Sequence, residues 1–142
     1  MRILKKIFFS VFVMAVLSSC ATNSNQKKFA DMTCEQHDVI ALSLNIFSAH
    51  AFVGDYANLE DPTPAIVQLH VIQRKAPGDF ARQINGAEQD YQDNLIVAKK
   101  KSCDVTDYPI SPVQEFEKRT NALVAERKKS GWIPQNEKQQ SK

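Results

Sequence analysis

Glycine, histidine and cysteine are all scarce in this chain, and each scarcity closes off a kind of chemistry. Four glycines are too few for a glycine-rich phosphate loop, and none stands in a Walker, dinucleotide-binding or G-x-S-x-G pattern. The three histidines, His37, His50 and His70, form no H-E-x-x-H. On a helix the first two sit about 140° apart around the axis, so they do not share a metal unaided. Three cysteines without a C-x-x-C make no redox or zinc motif, and the odd number leaves one thiol to be explained. No excess of charge exists either. The formal charge is +2, from 18 basic and 16 acidic residues, but Arg2, Lys5 and Lys6 crowd the first six positions; without those three, 15 basic residues face 16 acidic ones. That balance offers no footprint for nucleic acid. The longest apolar run, Ile7 to Leu17, is broken by Ser10 and falls short of the roughly 20 residues that span a bilayer. At 142 residues the chain has room for one core.

What is present begins at the N-terminus. A positive start, a short apolar middle and small residues before position 20 make a secretory signal over residues 1–19. Its last residues and the next, Leu17-Ser18-Ser19-Cys20, place a leucine three positions before a cysteine with small residues between. This resembles the lipobox of bacterial lipoproteins, and the resemblance covers only the first twenty residues. A serine immediately before the cysteine is a less usual choice. The resemblance implies cleavage before Cys20, a diacylglyceryl group on its sulfur and an acyl chain on its amine. Each buried methylene contributes about 0.8 kcal/mol, so more than one chain makes a durable membrane anchor. In lipoproteins resembling those of enteric bacteria, aspartate after the cysteine retains the protein in the inner membrane. Ala21 stands there instead, which favours the outer membrane. With Cys20 taken by lipid, Cys34 and Cys103 remain as a pair, and an oxidising compartment makes that pair a disulfide.

Residues 20–32 are polar and aperiodic, the composition of a flexible tether. Residues 33–132 read as a helical domain. Thr33 with Gln36, and Ser111 with Gln114, have capping-box spacing; Thr63-Pro64 and Ser111-Pro112 put proline at the first helical position. Asp79 offers a further cap. Basic clusters at Arg74-Lys75, Lys99 to Lys101 and Arg127 to Lys129 precede expected stops, where cations complement the helix dipole. The apolar set Val39, Ile40, Leu42, Leu44, Ile46, Phe47, Ala51 and Val53 makes the first helix the most buried one expected, ending at Gly54. Asn85-Gly86 is a turn-like pair that threatens the third. Trp132, just past Gly131, is expected to fold back on the last helix as part of its C-terminal cap, and the tail 133–142 is polar and expected to be disordered.

The expected disulfide constrains the path. Helices of about 30, 20 and 33 Å laid up-down-up would part the two cysteines by roughly 40 Å, whereas a bridge needs α-carbons within about 7 Å. The expected fold is therefore all-α: a small disulfide-stapled bundle of three long helices plus one short helix crossing their end.

For function, the residues point away from catalysis. Glu88, Asp90, Asp93, Glu35 and Asp38 read as carboxylates on exposed helix faces; no enzyme, cofactor or metal is expected. The acidic connector Asp55, Tyr56, Leu59, Glu60 and Asp61 lies at the end remote from the tether and is the candidate partner-binding tip. The reading is a non-catalytic envelope lipoprotein, bound to the membrane by its lipid, with another envelope protein as its candidate partner. An inhibitor or immunity protein against a toxin or hydrolase, and a carrier of a small apolar ligand, are the alternatives.

Overall fold

The computed structural model describes residues 24–134. The leader 1–19, Cys20 with its lipobox and residues 135–142 of the tail lie outside the described residues. Five helices follow one another: α1 (Ser24–Lys27), α2 (Cys34–Asp55), α3 (Thr63–Gln73), α4 (Asp79–Lys100) and α5 (Pro112–Lys129). No strand occurs among the described residues.

The helix starts follow local chemistry. Thr33 and Ser111 form complete capping boxes with Gln36 and Gln114, each satisfying two orphan backbone groups. Thr63 and Asp79 do not act as caps. Asp61 receives both the amide and the hydroxyl of Thr63, at 2.9 and 2.6 Å, and α4 is led in by Gly78, with Asp79 as its first residue. Glu88 of α4 accepts the amide of Val113 at 3.0 Å. A carboxylate is thus set at the positive end of α5.

Three of the stops share one geometry. At the ends of α3, α4 and α5 the chain turns through a left-handed residue, at Lys75 (φ 51°), Ser102 (φ 61°) and Gly131 (φ 93°). The following amides of Ala76, Cys103 and Trp132 then bond back to the carbonyls of Val71, Ala98 and Arg127. These are Schellman motifs, and the one at Ser102 aims Cys103 at the start of α2. The basic clusters mark the right places, but the turn itself ends each helix. α4 runs unbroken through Gly86, and Asn85 uses its side-chain amide to bond the carbonyl of Ile72, 3.2 Å away.

Two contacts fix α2 antiparallel to α4. At one end Cys34 and Cys103 are disulfide-bonded, with α-carbons 5.4 Å apart. At the other, Phe52 of α2 and Tyr56 just past its end meet Phe80 of α4 and Phe116 of α5 in a ring quartet with centroids 5.3 to 5.8 Å apart, mostly edge to face. Such pairs contribute about 0.5–1.5 kcal/mol each beyond burial. Ala65, Leu69, Ile72, Ala81, Ile84 and Leu123 complete this core. α5 runs alongside α2 in the same direction, from Ser48 and Pro112 at its start to the α2–α3 connector near its end. The short helix α3 seats on α4 and α5, and none of its α-carbons comes within 8 Å of one in α2.

That placement leaves α2 covered on one side only, against the expectation that it is the most buried helix. His37, Ala41, Ser48, Ala49 and Phe52 are buried, while Val39, Leu42, Ile46, Phe47 and Val53 are exposed. The helix also continues past Gly54 to Asp55. Part of the expected spacer is folded too. Phe29 is buried, Lys28 pairs with Asp90, and Gln26 bonds to Asp93 and receives Lys100, so α1 is held against α4.

The bridge closes a sequence separation of 69, for which chain entropy gives about 4 kcal/mol. Cys34→Ser or Cys103→Ser should lower the melting temperature by ~15 °C or more, and reductant should do the same to the native chain but not to either variant. Gly86 is helical, exposed and has nothing within 4 Å of where a Cβ would stand. Gly86→Ala should therefore stabilise the fold by about 0.5–1 kcal/mol in urea titration.

Candidate functional site

The acidic connector is more structural than its composition suggests. Asp55 belongs to α2, and the ring of Tyr56 packs into the core beside Phe52, Phe80 and Phe116. The carbonyl of Leu59 accepts Arg127 Nε at 2.7 Å, and that of Ala57 accepts the same guanidinium at 3.5 Å. Asp61 holds the start of α3 and accepts the indole N–H of Trp132 at 3.1 Å. Trp132 does close the α5 cap with its amide, but its ring reaches across to this connector. Only Asp55, Glu60 and Asp61 among the five candidates are exposed, while Tyr56 and Leu59 are half-buried. Of the three acids, Asp61 is engaged in the contacts just given.

The loop between α4 and α5 is pinned by side chains rather than by regular structure. Tyr91 of α4 donates to the carbonyl of Pro109 at 2.6 Å, Asn45 of α2 to that of Ile110 at 2.9 Å, and Ser48 of α2 to that of Pro112 at 2.6 Å. The first two satisfy loop carbonyls that no helix or sheet ladder serves, and the third ties α2 to the first residue of α5. Deeper in the α2–α4 contact, Asn94 donates its amide to the carbonyl of His37 at 3.0 Å, which turns Asn94 Oδ1 toward His37 Nδ1, 2.6 Å away. Nδ1 thus donates to Asn94, and Nε2 is buried without a hydrogen-bond partner. His50 and His70 are exposed. Among the described residues no group of three histidine, cysteine or acidic side chains is placed to hold a metal ion.

Two carboxylates are buried, and one of them, Asp93, is among those expected on exposed helix faces. Asp93, 1 % exposed, accepts amide donors from Gln89 and Gln26, and Glu115, 4 % exposed, accepts Arg119 at 2.6 Å. Gln26 ties Asp93 to α1 and Asn45, at 3.5 Å, ties Glu115 to α2, while Gln89 and Arg119 answer them within their own helices, so both carboxylates serve the packing of elements. Asp38, Asp104 and Asp107 line an open depression of about 290 Å³ with Leu42, Tyr108 and Pro109. There burial first, and the carboxylate of Asp38 second, push the Tyr108 phenol up to about 12. Burial likewise raises Tyr56 and Tyr91 above the ordinary 10.0, helped by Asp55 and Glu88 respectively.

The largest feature without a partner inside the domain is the outer face of α2. Val39, Leu42, Ile46 and Val53, exposed by 43 to 57 %, recur at heptad-like spacing and fall within about 60° of one another around the axis. Phe47 flanks them. From Val39 to Gly54 the helix bears no Asp, Glu, Lys or Arg. The one hydroxyl on this face, Ser43, is bonded to the carbonyl of Val39 at 2.7 Å. Sequence reasoning registered these residues but assigned them to the core, because a helix apolar on every side shows no preferred face. Between the helices Phe52, Ile72, Ile84, Phe116 and Leu123 pack into one core, and the depressions lined by Asp38 and by Met32 open to solvent. In comparisons with known proteins, no family model, no curated protein and no solved structure matches the chain.

The tyrosines give a pH signature. All three phenols of the chain are raised, so the folded protein holds protons that the unfolded chain releases near pH 10. The stability they confer is complete below that value and is lost as pH rises, for Tyr108 up to about 12. Absorbance at 295 nm should show no tyrosine titrating at the ordinary value until the fold gives way. Tyr108→Phe should reduce the loss of stability between pH 10 and 12.

Proposed function

We propose that this chain is a lipid-anchored bacterial envelope lipoprotein whose helical domain is a non-catalytic interaction or structural module. The domain is a scaffold of three long helices with α3 as the short crossing element. Cys20 carries the lipid, and the outer membrane is favoured by Ala21. The observation that carries the interaction reading is the uncharged apolar face of α2, since large apolar patches on soluble domains mark contact surfaces. The acidic connector, with Tyr56 spent on the core and Asp61 on α3 and Trp132, is a weaker candidate than its sequence suggested. A carrier role gains no support from a core filled by four aromatic rings. Among the described residues no helix is long and apolar enough to cross a membrane; in this reading the lipid on Cys20 provides the attachment.

Growth with labelled palmitate tests the anchor. The native chain should incorporate label and sediment with membranes, and Cys20→Ala should lose the label and move to the soluble fraction. An unlabelled native chain would remove the anchor from the reading.

A further inference from the structure

We infer that the exposed face of α2 packs against the same face of a second copy of this chain, with the two helices antiparallel about Ile46. The inference rests on the interaction reading and names its partner.

The pattern of the face is self-complementary. Antiparallel pairing about Ile46 sets Val39 of one copy against Val53 of the other, Leu42 against His50, and Ile46 against itself. Every apolar side chain of the stripe then faces an uncharged one. At the end near Val39 the surface carries a depression of about 310 Å³, lined by Met32, Glu35, Gln36, Val39 and Ile40, opposite the region of Val53 in the other copy. That offers a seat for the partner's side chain.

Charge selects both the occupant and its direction. The acids of α2 are Glu35, Asp38 and Asp55, and it has no lysine or arginine. A helix that lies on a lipid surface carries Lys and Arg on its polar flank, and here acids alone would meet anionic head groups. A parallel pair would set Glu35 beside Glu35 along the seam. The antiparallel pair sets Glu35 past the end of the other copy's α2, which stops at Asp55, and Asp38 opposite Gly54, so no like charges are set opposite each other along the seam. It also aligns the helix dipoles favourably.

The five exposed apolar residues present an area on the order of 400 Å², comparable to the largest patch on a typical monomer. That is about half of the ~800 Å² per partner of a stable interface. The pair is therefore reversible and concentration-dependent. Confinement of both copies to one membrane would raise their effective concentration.

Site-directed crosslinking of the full-length chain, in cells and in mild detergent, tests this with a short bismaleimide. Two Ile46 positions adjoin in the antiparallel pair, while two Val39 positions stand about 21 Å apart. Ile46→Cys should give a covalent dimer. Val39→Cys alone should not, but Val39→Cys mixed with Val53→Cys should. Adding Leu42→Asp, at a position already half exposed, should cut capture at least tenfold without changing the melting temperature. Equal capture at Val39→Cys and Ile46→Cys alone would overturn the antiparallel pair. Adducts only to a protein of different mass would overturn the second copy while leaving the α2 face as an interaction surface. No adduct of any kind in cells would overturn both.

Discussion

The contact between α2 and α4 is the constraint from which the rest of this domain follows. It is closed covalently at one end by Cys34 and Cys103 and held at the other by the rings of Phe52, Tyr56 and Phe80 around Phe116. Between them lies the buried His37–Asn94 pair. A polar pair of this kind costs more to misalign than an apolar one, because a shift along the helix leaves donors and acceptors unsatisfied in a dry interior. The two helices are thus set in register as well as in orientation.

Once that register is fixed, α5 has only one side of α2 on which to lie. Its start is held at mid-height by Ser48, Asn45, Tyr91 and Glu88, all acting on the backbone from Pro109 to Val113. Its end is held by Arg127 and Trp132 against the connector. α3 then fills the remaining side of α4 and α5. Among the described residues nothing is left to cover the opposite face of α2, and the bare stripe is a direct product of this order of packing.

Much of this was legible in the residues because it is encoded locally. Thr33 with Gln36 and Ser111 with Gln114 name their helices' first turns, and two of the three cysteines pair once the lipobox resemblance claims Cys20. The rest depends on contacts distant in sequence. Lys75 and Ser102 end their helices in a left-handed turn that neither residue type announces, whereas Gly131 does announce it. Tyr56 reads as a loop aromatic until Phe80 and Phe116 are brought beside it. Asp93 reads as a surface acid until Gln26 and Gln89 enclose it. α2 misleads in the opposite sense: with apolar side chains all round, its sequence predicts burial all round, and only the number of neighbours available decides which face stays bare.

The central claim is that this bare face of α2 is a contact surface and not an incidental patch. The most direct measurement is carbene footprinting of side chains, read residue by residue in intact cells and in dilute purified protein. Protection of Val39, Leu42, Ile46 and Val53 in cells, with Val67 of α3, also exposed, labelled equally in both, is the result this account predicts. Equal labelling of the α2 stripe in both settings would contradict it.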